Sequence, residues 1–306
     1  MNPRLKQLRD INVNRILGID LRANEQAFRD FVAAQTQREL EIAGELQKIK
    51  SFHEDHLAAI RVQFDDIKGT REDLAAMRAD PDYERVFADD EPLISVRIAS
   101  YSKTTELVEV ALASVFAQTY ENYEVVIVND GPNETTRRAL EKLNHPKVRF
   151  EELPWRSAYP DDAHKRWMVA GTAPANHGDQ ISRGSWIAPL DDDDEFTPDH
   201  LEKLLRIALR ERAELSYGAL IQKNLVNGDD LRIWSWPPAI SQFSFQGALH
   251  LRALRCVPYH DSSWILGEPG DWNRIRRMKE SGVRMAMTED VVATMNMIPY
   301  THKESE

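Results

Sequence analysis

The chain has 306 residues and a single cysteine, Cys256. One thiol closes no internal disulfide and builds no cysteine-rich metal site, so Cys256 is read as a small apolar packing residue, in keeping with a reducing compartment. No apolar run reaches the roughly 18 residues of a membrane-spanning helix. The opening MNPRLKQLRDINVNR lacks the apolar centre of a secretion signal, and a cytoplasmic location is expected. Positive charge is in short supply: 39 Lys and Arg face 50 Asp and Glu, a net charge of −11. That balance argues against nucleic acid or an anionic membrane as partner, since either needs a positive field. It leaves room for an anionic substrate if a metal ion supplies positive charge locally. Hydrophobic residues make up 42% of the chain, enough for one large or two modest cores.

Proline is missing from residues 22–78, a charged, glycine-poor stretch. Leu57, Ile60, Phe64, Ile67 and Leu74 recur there at helical spacing, an a/d-like seam. Leu46 and Ile49 follow a similar seam out of phase by about one residue, so a continuous heptad coil is not assured. A straight helix of ~45 residues is ~70 Å long at 1.5 Å per residue and cannot bury its stripe alone. Two partners suit it equally: a folded-back helix or catalytic domain of the same chain, or a second copy in a homo-oligomer. Asp80-Pro81 ends the helix, because the residue before proline avoids the α region. Asp89 to Pro92 reads as a linker, giving a helical extension over residues 1–90 and a second domain over 91–306.

From Leu93 the pattern alternates. LISVRIAS, EVVIVND, KVRFEEL (147–153) and SWIAPL (185–190) read as strands with helical segments between them. Thr104 or Thr105 is placed as a helix cap. EVVIVND is a continuous apolar strand of the kind buried on both faces, and the alternation predicts an α/β, doubly wound, mostly parallel sheet. Ligands of such sheets sit at the carboxyl ends of the strands. This singles out Ser100, Tyr101, Asp130, Gly131 and Asp191 to Asp194.

PLDDDDEFTPDHLEKLL (189–205) is the most informative stretch. Unit charges repel by ~1 kcal/mol at 4 Å even in bulk water, so four adjacent aspartates at a strand end call for compensation. Mn²⁺ or Mg²⁺ would supply it, taking carboxylate oxygens and leaving positions open for phosphate. The bland alternative is a solvated acidic turn with Asp194 or Thr197 capping a helix that begins near Pro198.

Here the sequence resembles family 2 glycosyltransferases of the GT-A fold, over about residues 92–296. The resemblance rests on PLISVRIASYSKTTELVEVALASVFAQTYENYEVVIVNDGPNETT followed by ANHGDQISRGSWIAPLDDDDEFTPDHL, with a DxD motif at its end. It implies a sugar transferase using a nucleotide-diphosphate donor, a UDP-sugar favoured, and a glycan, lipid-linked or protein acceptor. By position it implies that Asp130 contacts the nucleotide base and that Ala99, Ser100 and Tyr101 line the same pocket. Asn176 falls in the family's central motif. Asp193 is the implied metal ligand, with Asp191 or Asp192 near the ribose or the metal, since four aspartates give two overlapping DxD readings. The chain departs from the family at Ser102, at Asn129-Asp130 where Asp-Asp is usual, and at Ala175 where an arginine often stands. Those positions bear on the base and the diphosphate.

A transfer with inversion needs a carboxylate to take the acceptor proton. GEPGDWNRIRRMKESG (267–282) resembles the family motif that opens a C-terminal helix, which implies Asp271 as general base, with Glu268 as the second candidate. A first-turn aspartate is also a common structural feature. Trp234 and Trp236 suit either sugar stacking or core packing. His164-Lys165-Arg166 reads as a solvated loop or a phosphate contact, and His250 and His260 as structural. Two rival functions remain. A nucleotidyltransferase would open with a glycine-rich phosphate loop, and SVRIASYSK has no glycine. A catalytically silent carbohydrate-binding scaffold would not need Asp130, Asp193 and Asp271 together.

Overall fold

The computed structural model describes residues 21–297. The N-terminal stretch read above for a targeting signal lies outside them. The chain divides into two compact units between Ala58 and Ala59. This division falls inside the first helix, α1 (Leu21–Ala79), ahead of the linker near residue 90. The helix stops at Ala79, where Asp80-Pro81 requires it to.

In the first unit α1 exposes apolar and charged residues alike. Phe28, Phe31, Leu40, Ile42, Leu46, Ile49 and Phe52 are 58–68% exposed. Pairs such as Arg29–Glu25 and Lys48–Glu45 support the helix along its surface, each by about 0.2–0.5 kcal/mol.

In the second unit the end of α1 is buried through Ile67, Thr70 and Leu74. Phe64 is 71% exposed and Leu57, of the first unit, 42%, so both leave the seam read from sequence. At 3.6 residues per turn they lie roughly 90° or more round the helix from the centre of the buried stripe. The anchor is Glu214, fully buried. It accepts hydrogen bonds from Arg78 Nε and Nη2 (2.7 and 2.8 Å), from the Tyr83 hydroxyl (2.8 Å) in the short helix α2 (Tyr83–Val86), and from the Arg284 backbone N–H (2.8 Å). Glu214→Ala strands these donors and is expected to cost about 3 kcal/mol in urea denaturation.

The second unit is built on β1 (Ile94–Ser100), β2 (Tyr123–Asn129), β3 (Val148–Glu152), β4 (Trp186–Asp191), β5 (Glu195–Phe196), β6 (Leu215–Asn224), β7 (Leu231–Ile233), β8 (Ala248–Leu251) and β9 (Met285–Met297). They form one sheet in the order β3-β2-β1-β4-β8-β6-β9-β5, with β7 on β6. The first four strands are parallel and match the four read from sequence. β8 turns antiparallel to β4 and β6, and β9 runs parallel to β6. Ile94, Val96 and Ile98 enter the main core with Trp186, Ala188 and Leu190. The alternate residue Arg97 faces α6 (Thr172–Ile181), where a Cβ on Gly178 would lie 2.7 Å from the arginine stem. Burial of both faces is why β2 and β4 read as nearly unbroken apolar runs.

Three other helices set the site. α3 begins at Thr104 and runs through a π-turn, Leu107–Ala111, to Phe116. Its N-cap is Lys103, so Thr104 starts the helix and its hydroxyl meets that of Thr136 (2.7 Å) in α4 (Glu134–Leu143). α5 (Ala163–Val169) contains His164-Lys165-Arg166, which is therefore helix and not loop. Cys256 is exposed in the turn Arg252–Cys256 and does not pack as expected, because the neighbouring Leu254 and Val257 take the inward positions.

α7 (His200–Glu211) follows the aspartate stretch. His200 is fully buried, stacks on Phe196 at 3.6 Å, and its Nδ1 lies 2.9 Å from the Val292 carbonyl. Burial holds His200 and His250 down to about 4. A depressed histidine pKa means that the unfolded chain binds more protons between about pH 4 and 6.5, so stability is lost as pH falls through that window. His200→Phe is expected to flatten that loss by up to about 1.4 kcal/mol per pH unit, measured by urea titration at several pH values.

Candidate active site

β2 and β3 lie on one side of β1, and β4 lies on the other. The strand order reverses between β1 and β4, and the crevice at such a reversal is where open α/β sheets bind ligands. Ala99 pairs with Asp191 across it. Ser100 ends β1 and Tyr101 follows it, while Asp191 ends β4 and Asp192 to Asp194 follow it.

The four aspartates diverge. Asp191 Oδ2 accepts from Gln246 Nε2. Asp192 Oδ2 accepts from the Ser100 hydroxyl (2.9 Å) and the Tyr101 N–H (3.4 Å). Asp193 Oδ2 pairs with Lys103 Nζ, and Asp194 Oδ1 accepts from the Asn296 N–H (2.8 Å). Burial, then the Asp271 charge, pushes Asp191 up to about 7 against the pull of Arg97. Burial raises Asp192 to about 6 and, with Asp191 and Asp193, raises Asp194 to about 9. These carboxylates are short of positive charge. Among the described residues no three Asp, Glu, His or Cys side chains converge as a preformed metal centre. The donor set therefore fits a hard divalent ion only as an oxygen-rich partial shell whose remaining positions come from the ligand.

Asp271 stands in the first turn of α8 (Gly270–Ser281). Its Oδ2 accepts from the Ser244 hydroxyl (2.5 Å) and the Phe245 N–H (3.0 Å). Ser244 also contacts Gln246 Oε1. One polar chain thus runs Asp191–Gln246–Ser244–Asp271, joining residues far apart in sequence. The Gln246 amide donates to Asp191 through Nε2, and the single Ser244 hydroxyl proton serves one of its two acceptors at a time. Ser244 and Gln246 were not singled out in the sequence, where SQFSFQG carries no motif.

Glu268 is tied to α8. Its two oxygens take Arg276 Nε and Nη2 (both 2.8 Å), and Oε2 also takes Asn273 Nδ2 (2.7 Å), bracing α8. Asn176 spends both ends of its amide on the Tyr259 backbone, donating to its carbonyl (2.9 Å) and accepting from its N–H (2.8 Å). Asp130 is buried and accepts from the Ser157 N–H and hydroxyl (2.9 and 2.7 Å) and the Tyr159 hydroxyl (2.7 Å). The loop bearing Ser157 packs on Gly131, whose φ is +92° and where a Cβ would lie 2.7 Å from Arg156 N. Arg156 covers the Tyr101 ring at 3.9 Å. His250 is buried and His260 pairs with Asp66 (2.6 Å). Trp236 is 57% exposed beside Tyr217, and Lys279 links its loop to α8 through the Pro238 carbonyl (3.4 Å). A cleft of about 420 Å³ between α4 and β3 contains none of the predicted residues.

The family model for glycosyl transferase family 2 matches residues 95–163 and 169–261, more than half of the chain. The chain belongs to glycosyl transferase family 2. The match includes β1 to β4 and the aspartates, and it stops before Asp271. Among curated family relatives, the succinoglycan biosynthesis protein ExoO of Rhizobium meliloti is 30% identical over 151 residues, 48% of this chain and 38% of that protein. Chondroitin synthase of Escherichia coli is 32% identical over 116 residues, 37% of this chain and 15% of that protein. The matched stretch is thus well under half the length of either relative. The crystal structure of S. aureus TarS 1–349 in complex with UDP-GlcNAc superposes with a TM-score of 0.52 at 17% identity, covering 70% of this chain and 61% of that one, and shares the GT-A fold. Among the described residues no helix is long and apolar enough to cross a membrane.

Proposed function

We propose that this family 2 chain is a metal-dependent hexosyltransferase that moves a sugar from a nucleotide-diphosphate donor to an acceptor hydroxyl with inversion. The observation that carries the reading is the hydrogen-bonded chain from Asp191 to Asp271. It sets a carboxylate from the nucleotide side of the crevice and one from the acceptor side around a single site. Asp193 and Asp191 would hold Mn²⁺ or Mg²⁺, which when bound neutralises the leaving diphosphate. Ala99, Ser100 and Tyr101 line the nucleoside end, with Asp130 behind them. Asp192 holds the end of β1 in place through Ser100. Asp271 takes the acceptor proton, and Ser244 and the Phe245 N–H fix its orientation. The UDP-GlcNAc bound by TarS favours a UDP-sugar here, and the polysaccharide-building relatives favour a glycan or lipid-linked acceptor.

Thermal-shift measurements against UDP, GDP, dTDP and CDP, each with and without Mn²⁺, followed by donor hydrolysis, test this reading. A UDP shift that requires the ion supports it. A protein that binds no nucleotide under either condition defeats it.

The first unit serves a second copy of the chain: a helix with seven large apolar side chains more than half exposed has surface to cover. Ile42→Lys together with Leu46→Lys is expected to lower the mass seen in sedimentation to that of one chain.

A further inference from the structure

Three of the four site aspartates are held by neutral, fixed donors. Gln246 holds Asp191, Ser100 and the Tyr101 N–H hold Asp192, and the Asn296 N–H holds Asp194. Asp193 differs. Asn296 Nδ2 pins its backbone carbonyl (2.9 Å), but its carboxylate meets the Lys103 ammonium. That side chain is 50% exposed, and Asp193 is 23% exposed. Arg97, whose charge also acts on Asp191, is buried and tied to Asp179 (3.2 Å) and the Tyr259 hydroxyl (3.3 Å), so it cannot move to a ligand.

An exposed ion pair between flexible side chains is weak and readily exchanged. Lysine offers a compact charge on a four-carbon stem with three donors, suited to a phosphate as a point charge. Burial opposes the charge on Lys103, but the Asp193 contact and the charges of Asp193, Asp192 and Asp194 outweigh it and keep the ammonium protonated. The residue sits at the helix start just past β1, at the open rim of the crevice.

We propose that Lys103 is an exchangeable cation of the donor site: its ammonium neutralises Asp193 while the donor is absent, then gives Asp193 up to the divalent ion and turns to the donor diphosphate. The proposal rests on the nucleotide-sugar reading above. It assigns Lys103 two opposite effects, as a competitor of the metal and as a ligand of the diphosphate. A residue that merely holds the loop together would not separate them.

The test measures binding, without turnover, in wild type and Lys103→Met. Mn²⁺ alone is titrated by electron paramagnetic resonance of the free ion. UDP is titrated by calorimetry at saturating Mn²⁺. Lys103→Met is expected to bind Mn²⁺ alone about two- to fivefold more tightly, since a weak competing pair is gone. It is expected to bind UDP with Mn²⁺ about tenfold more weakly, the loss of one charge-assisted contact. Unchanged affinities, or affinities that shift in the same direction, overturn the role of Lys103 while leaving the donor site standing. A wild-type protein that binds neither Mn²⁺ nor UDP overturns the donor-site reading and the proposal with it.

Discussion

Asp271→Asn is expected to keep Mn²⁺-dependent UDP binding within about twofold while sugar transfer falls by about 10²- to 10⁴-fold, the usual contribution of a positioned general base. The amide has the size of the carboxylate, and its oxygen can still accept from the Phe245 N–H and Ser244, so α8 keeps its start. What the amide cannot do is accept a proton. A variant that folds, binds nucleotide and turns over at the wild-type rate would remove Asp271 from the chemistry. Glu268→Gln is the companion measurement. Its carboxylate is engaged by Arg276 and Asn273, so the change is expected to lower stability and leave the rate per folded molecule nearly intact. Loss of rate in Glu268→Gln with normal turnover in Asp271→Asn would exchange the two roles.

Asp193→Ala carries the second large effect. A ligand present at 100 times its Kd stabilises the folded state by about 2.7 kcal/mol. The part of the UDP thermal shift that depends on Mn²⁺ is expected to vanish in this variant, while the melting temperature of the free protein changes little. Asp193 is partly exposed and its carboxylate meets only a half-exposed lysine in this structure, so little folding stability depends on it. Asp192→Ala provides the contrast. Its carboxylate ties Ser100 and Tyr101 to the end of β4, so its removal is expected to disturb the free protein as well. A full Mn²⁺-dependent shift in Asp193→Ala would move the metal away from this position.

The same contrast marks how far the sequence could be read. EVVIVND and SWIAPL announce buried parallel strands because a strand covered on both faces must be apolar at nearly every position, a rule that acts residue by residue. Pro81 ends α1 and Gly282, at φ +89°, ends α8, both through local backbone geometry. Asp130 and Asn176 are different. The sequence located them, but it could not show that Ser157, Tyr159 and the Tyr259 backbone already occupy their polar atoms. Nor could periodicity choose which apolar residues of α1 would be covered, since Phe64 and Ile67 look alike until a partner surface picks one face.

By itself, then, the sequence determined the strands at the centre of the sheet, the placement of the acidic quartet just past a strand end, and the helix that begins at Gly270. Each follows from sterics, burial or charge among near neighbours in the chain. Tertiary structure alone decided that Asp191 and Asp271 would share one hydrogen-bonded path through Gln246 and Ser244, that Asp193 would face Lys103, and that Asp191 would rise to about 7. Hydrogen bonds and pKa values depend on distance through space and on exclusion of water, and neither is set until the strands have paired.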